Sequence, residues 1–303
     1  MSGRGSSKRG PGQGRGGRAA AGRKSGKPQS RGAGRTGSTR RGDAPAPRRQ
    51  EKTLGGEQIE GRQAVRELLL AQRRKVHEVW ISGELEGSDA VDDIVQIAAA
   101  NRVPVITVAR KKLEAAARSE APQGVLALAA PLPEADLGRY LKRTGSHPPF
   151  IVAVDGVTDP GNLGAIVRSC DGAGVDVLVV PRHRAVHVTP TVAKASAGAV
   201  EHVPIAVVSG LPAALQRMRD AGIWVIGLDD AADRSLFEVG DLAIEPVCVV
   251  LGAEGVGLSR LVRERCDIIV SIPLLGRVSS LNVSAAAALT TYEIRRHRTK
   301  IHR

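Results

Sequence analysis

The chain is nearly without aromatic side chains: two each of Trp, Tyr and Phe stand among 303 residues. Modules that read single-stranded nucleic acid by stacking need several aromatics, closely spaced. An RRM- or OB-type reader is therefore disfavoured. Cysteine is scarce too. Cys170, Cys248 and Cys266 are odd in number, lack any C-x-x-C spacing and sit in apolar surroundings. Neither a disulfide framework nor a zinc cluster is expected of them, and they read as small hydrophobes. Free cysteines suit a reducing, cytoplasmic setting. No run of 18 apolar residues exists and the N-terminus has no apolar signal-peptide core. No membrane span and no secretory leader are expected.

Negative charge is almost missing from the first 52 residues. They hold 15 Lys or Arg against only Asp43 and Glu51, while the rest of the chain holds 29 of each sign. The net charge of +13 thus belongs to a tail, and the folded part is neutral. Residues 1–56 are rich in Gly, Arg, Ser and Pro, too poor in apolar side chains to offset chain entropy, so a disordered tail is expected. Its Gly14 to Arg18 stretch is of Arg-Gly type. Such a tail either contacts RNA phosphates by counterion release or only solubilises the chain.

Periodicity divides the remainder. A helix-like run opens at Ile59 and Gly61 and continues to Leu70. Strands are expected over residues 77–82, 104–108 and 124–130. Val91, Ile94, Val95 and Ala98 fall at helical spacing, and a short helix is expected over 111–117. Residues 57–131 thus form a small α/β domain. Residues 132–149, bracketed by prolines, read as a linker with a short helix. Residues 150–303 form a second α/β domain. Its strand candidates, 150–154, 176–180, 203–208, 223–228, 247–251 and 268–272, are continuous and β-branched, as in a parallel sheet buried on both faces. Helices are expected over 211–221 and 283–296.

Three segments of this second domain carry chemistry: 155–169, 251–257 and 272–284. Each follows a strand-like run and leads into a helix-like run. Ligands of open α/β sheets bind at such joins, outside the carboxyl ends of strands. Gly252, Gly255 and Gly257 leave room for a ligand at the backbone, or make only a tight turn; neither a G-x-G-x-x-G nor a GKS/GKT pattern follows. Glu254 between them is either a turn acceptor or a functional carboxylate. Asn162 reads as a site residue or as a helix cap after Asp159-Pro160-Gly161. Arg168 reads as a surface charge or, next to apolar Cys170, as a partly buried one. One of Ser279, Ser280 and Asn282 caps the next helix; the cap does not account for all three. The alanines after Val283 imply close packing of that helix, against its own chain or a twofold partner. His183 and His187 lack a third ligand and follow Pro181, so no metal is expected. With Arg182 and Arg184 they read as a cationic loop near RNA.

The three segments, in this order, resemble the signature motifs of the SpoU/TrmH-type RNA ribose 2'-O-methyltransferases of the SPOUT superfamily. Lys194 to Ala199 and Val203 to Ile205 add to the resemblance. Segment 57–130, through Ile59 to Val65 and Gln123 to Leu126, resembles the family's substrate-binding domain, which is similar to RNA-binding ribosomal proteins. Within the family the plan looks like that of the bacterial enzymes acting on a guanosine ribose of 23S ribosomal RNA. The resemblance implies a trefoil knot in the C-terminal domain, a rarity among proteins. It also implies a homodimer and S-adenosylmethionine held mainly by backbone groups at Gly252, Ile272 and Leu281, with Ser280 beside them. Arg168 would take the central catalytic role, supported by Asn162, Glu254 and Asn282. A guanidinium suits orienting a phosphate and stabilising an alkoxide better than accepting a proton. The rival readings are the same chemistry on tRNA or on a ribosomal adenosine, and a non-catalytic RNA-binding or ribosome-assembly factor. The presence of all four polar residues counts against the latter.

Overall fold

Two sheets organise the chain in a computed structural model that describes residues 54–142, 147–183, 187–277 and 280–300. The disorder expected of residues 1–56 falls, with the RNA contact of the basic tail, outside the described residues up to residue 53; its last three positions are ordered instead, because Leu54 is buried in the core and Gly55 bridges to Val188. Strands β1 (Gln58–Glu60), β2 (Val76–Ser82), β3 (Val105–Val108) and β4 (Val125–Ala129) form the small sheet in the order β1-β4-β2-β3. In it β2 and β3 run parallel, and β4 is antiparallel to β1 and β2. Helix α1 (Arg62–Ala71) buries Ala64, Val65, Leu68 and Leu69 against the sheet. It starts later than the sequence pattern suggests. Ile59 and Glu60 belong to β1, and Gly61, at φ 95, turns the chain where a side chain would be strained. In α2 (Asp89–Ala100) Val91, Ile94 and Ala98 are buried, but Val95 is 39% exposed. The apolar stripe is narrower than its spacing implied. Helix α3 (Arg110–Ala116) completes the domain, and α4 (Leu137–Tyr140) follows it.

The large sheet is parallel throughout. Its strands are β5 (Phe150–Asp155), β6 (Val177–Pro181), β7 (Ile205–Val208), β8 (Trp224–Leu228), β9 (Val247–Gly252) and β10 (Ile268–Val270), in the order β10-β8-β9-β5-β6-β7. Side chains alternate between two apolar layers. Phe150, Val152 and Val154 of β5, with Val247, Val249 and Leu251 of β9, face one core. Ile151, Ala153, Cys248 and Val250 face the other. Helices α5 (Pro160–Ala173), α6 (Pro190–Ala195) and α9 (Val283–Lys300) belong to the first layer; α7 (Leu211–Asp220) and α8 (Arg260–Arg263) belong to the second. The alanine-rich start of α9 packs on α5 and β9 of its own chain. Among the described residues no helix is long and apolar enough to cross a membrane.

The first core does not stop at the domain border. Leu54, Ile59, Leu68 and Leu132 join the same buried cluster as Phe150 and Val192. Polar contacts reinforce the junction. The Arg74 guanidinium grips Glu201 with two bonds, Nε to Oε2 at 3.0 Å and Nη2 to Oε1 at 2.5 Å. Their side chains are 3% and 1% exposed. Arg74 Nη1 also donates to the Gly56 and Ala130 carbonyls, so the buried cation has partners on every side. At the other end, Arg298 of α9 donates to the carbonyls of Pro148, Pro149, Ala243 and Glu245 and lies over the Phe150 ring. Burial lowers its pKa to about 10, which still leaves it charged at neutral pH.

Removing one partner from a buried ion pair strands the other. Glu201→Ala is expected to lower the unfolding free energy by about 3–5 kcal/mol. The same change at Asp93, whose pair with Arg66 is exposed, should cost under about 1 kcal/mol. Chemical denaturation of the two variants checks this; equal losses would refute it.

Candidate active site

Strand β9 ends in the middle of the large sheet, and its exit loop is cramped. Ala253 and Gly257 exchange backbone hydrogen bonds at 3.1 and 2.9 Å, closing a tight loop. A Cβ on Gly252 would overlap the Gly257 carbonyl carbon and the Leu258 nitrogen. Gly255 and Gly257 take φ 72 and 69, the left-handed region that glycine enters freely. Glu254 is held at the tip of this loop, exposed, together with Val256.

Beside it lie the N-termini of two helices. Asp159 caps α5: its Oδ2 accepts from the Asn162 backbone at 2.6 Å, with Pro160 in the first helical turn. Asn162 is therefore not the cap, and its side chain is left for another task. Asn282 caps α9. Its Oδ1 accepts from Ser284 N at 2.9 Å and from Ser284 Oγ at 2.5 Å. Its other end, Nδ2, donates to Glu254 Oε1 at 2.6 Å and to Asn162 Oδ1 at 3.0 Å. Glu254 Oε1 also lies 3.5 Å from the Val283 amide, at the positive end of α9. Three residues from three separate joins thus meet through one side-chain amide.

Arg168 stands apart from this bridge. It lies six residues beyond Asn162 on α5, about 9 Å along the axis and about 120° round it. The burial suggested by its neighbour Cys170 is not found. Leu163, Ile166, Val167 and Cys170 form the buried stripe of α5, and Arg168 emerges on the exposed side. Among the described residues it makes no hydrogen bond or ion pair. Cys170 and Cys248 are fully buried, with thiols pushed up by desolvation, and Cys266 is pushed up to about 12 for the same reason. All three are free thiols whose burial disfavours the nucleophilic thiolate form.

A pocket of about 320 Å³ opens beside the bridge, between the 252–257 loop, the segment after β10 and the start of α9. Gly252, Ile272, Ser280 and Leu281 all line it, as does Glu254. Two acids not singled out from the sequence line it as well, Asp229 and Asp230 at the carboxyl end of β8. The signal was there, since they directly follow an apolar strand. Asp229 is paired with Arg263 of α8. Asp155, at the end of β5, accepts from Ser259 N at 2.7 Å and so fixes the start of α8. Elsewhere, His183 and His187 are exposed, Arg182 pairs with Glu134 at 3.3 Å, and Arg184 lies outside the described residues.

Residues 149–292 match the SpoU rRNA Methylase family, and residues 58–135 match the RNA 2'-O ribose methyltransferase substrate binding family. The 23S rRNA (guanosine-2'-O-)-methyltransferase RlmB of Pseudomonas putida is 38% identical over 245 residues, 80% of this chain and 97% of that one. The SpoU methyltransferase AviRb of Streptomyces viridochromogenes, solved in complex with AdoMet, is similar in structure with a TM-score of 0.66 at 29% identity. The match covers 80% of this chain and 90% of that one. A solved RNA 2'-O ribose methyltransferase gives a TM-score of 0.67 at 27% identity, over 80% and 88% of the two chains. With both domains matched in order across nearly the whole length of a relative, this chain belongs to the SpoU/TrmH family of RNA 2'-O-ribose methyltransferases.

Proposed function

We propose that the chain uses S-adenosylmethionine to methylate the ribose 2'-hydroxyl of a guanosine in 23S ribosomal RNA. The observation that carries the reading is the Glu254–Asn282–Asn162 bridge at the mouth of the 320 Å³ pocket. The pocket suits the donor. Leu228, Leu274 and Ala286 offer apolar surface, and Asp230 complements a cation, Asp229 being paired with Arg263. Gly252, Ile272, Leu281 and Ser280 would hold the donor, which supplies an already activated methyl group on a sulfonium.

The protein then has two tasks, alignment and charge management. Glu254 locks Asn282, and Asn282 locks Asn162, so three polar groups stand fixed before any substrate arrives. With its oxygen engaged by Asn282, Asn162 directs its remaining N–H groups towards a ribose or phosphate oxygen. Arg168, exposed and unpaired among the described residues, is free to take the target phosphate and to stabilise the developing alkoxide. A guanidinium donates but does not accept, so the proton goes elsewhere.

A trefoil knot fits the strand order: β9 is inserted between β5 and β8, and the chain after β10 passes the 252–257 loop before α9 packs on α5. A homodimer fits the exposed Leu289 and Tyr292 of α9, the latter lying against Gly172 of α5. Free cysteines fit a cytoplasmic setting. The test of the whole reading is to incubate the chain with labelled donor and, separately, 23S ribosomal RNA and tRNA, and to map the methylated ribose. Label on a tRNA or on an adenosine would replace the substrate assignment; no transfer to any RNA would overturn the reading.

Arg168→Ala should lower methyl transfer by about 10²–10³-fold while calorimetry finds donor affinity unchanged. Its melting temperature should stay that of the parent, because among the described residues the side chain makes no hydrogen bond or ion pair. Normal activity would remove Arg168 from the site. Gly255→Val should weaken donor binding, since a β-branched residue at φ 72 forces the loop to rearrange; unchanged affinity in a folded variant would show that the loop does not cradle the donor. Deleting residues 1–52 should weaken RNA binding and flatten its salt dependence without moving the methylated nucleotide. A change of target position would make the tail a specificity element.

A further inference from the structure

The small domain has a pocket of its own, about 270 Å³, outside the carboxyl ends of β2 and β3. Leu85 and Leu113 give it apolar surface, and residues 121–124 form one wall. That wall is unusual backbone. Ala121, Gln123 and Gly124 have φ of 51, 59 and 72. It is held in place from two sides. The buried carboxylate of Glu60 accepts from the Arg118 and Ser119 amides at 2.7 and 3.0 Å, and Lys194 of the large domain donates to the Glu120 and Ala121 carbonyls.

Ser82 lines this pocket at the end of β2. It is 2% exposed, and its hydroxyl has no hydrogen-bond partner among the described residues. A buried polar group left unpaired costs stability, so a ligand that supplied a partner for this hydroxyl would gain from doing so. Around the rim, Arg110 donates to Glu84 at 3.1 Å and to Glu114 at 2.8 Å. Arg62 donates to Gln123, through its backbone N to Oε1 at 3.1 Å and through Nε to the carbonyl at 3.3 Å. Two arginines and two glutamates cancel, so the pocket has no net charge with which to attract a phosphate.

We propose that this pocket takes one unstacked nucleobase of the substrate RNA, a base bearing an exocyclic amine. The inference rests on the reading of the chain as an enzyme acting on RNA. A neutral planar ring fits a small pocket with apolar sides better than a phosphate does. The edge of such a base carries donors and acceptors together. Glu84 and Glu114 can accept from its amine, while Ser82, Arg62 and the Gln123 amide can donate to its ring atoms. Sequence-specific proteins read RNA mainly through bases splayed out in this way. The size, below the range of about 300–1,000 Å³ usual for drug-sized ligands, suits a single ring system.

The full chain is titrated with an in vitro 23S ribosomal RNA transcript, and methyl transfer to the same transcript is read in parallel. Glu84→Ala, which removes both the charge and the acceptor oxygens, separates the alternatives by sign. A phosphate site, or a merely solvated face, gains affinity or stays unchanged when a negative charge beside Arg110 is removed. The nucleobase pocket loses an acceptor, and RNA affinity falls about tenfold. Ser82→Ala should weaken RNA binding in the same direction while its melting temperature holds or rises, because an unpartnered buried hydroxyl is deleted. Unchanged or tighter RNA binding by both variants overturns the pocket. Absence of methyl transfer by the parent chain, with both variants still weakened, would count against the reaction and leave the pocket standing.

Discussion

One side-chain amide ties together three joins at the carboxyl edge of the large sheet. Asn282 spends its oxygen on the first turn of α9 and its nitrogen on Glu254 and Asn162. An aspartate could cap α9 equally well but would repel Glu254; a serine could cap it but would not span the gap. The cramped glycine loop after β9 brings Glu254 to this amide, and the Asp159 cap frees Asn162 to reach it. Each of these local choices makes sense only because the other two joins are present. The large sheet supplies them by ending β5 and β9 side by side, with Asp155 opposite Gly252.

Much of this was legible in the sequence, and for identifiable reasons. Parallel strands buried on two faces leave continuous runs of Val, Ile and Leu, so all six large-sheet strands could be placed from their composition. The joins that follow them were marked by glycines and polar side chains, and residues 162, 254 and 282 do converge. What could not be read was three-dimensional. Helical spacing did not tell which way Arg168 faces, since that depends on which stripe of α5 the core takes. The identity of the α5 cap turned on Asp159 outcompeting Asn162, a matter of one residue. Arg74 and Glu201 lie 127 residues apart with nothing local to mark either. The order in which the strands lie side by side is not written in the strands at all.

The small domain shows the same logic with different materials. Its helix α1 docks by an ordinary apolar face, but the loop before β4 is held in left-handed conformations by groups from elsewhere: Glu60 below and Lys194 across the domain border. Strain of this kind persists where the surroundings over-determine it, and it is found most often at places that handle ligands. The substrate-binding half and the methyl-transferring half thus share contacts at the very loop that shapes the former.

The uninterrupted core between the two halves has a geometric consequence. Had a flexible linker joined them, the RNA-gripping half could swing, and one grip would serve many neighbouring riboses. A shared apolar interior, pinned by Arg74 and Glu201, turns the protein into a caliper with its jaws set at one gap. On the proposed reading, choosing a nucleotide then becomes a question of span between the RNA held by one half and the ribose presented to the other.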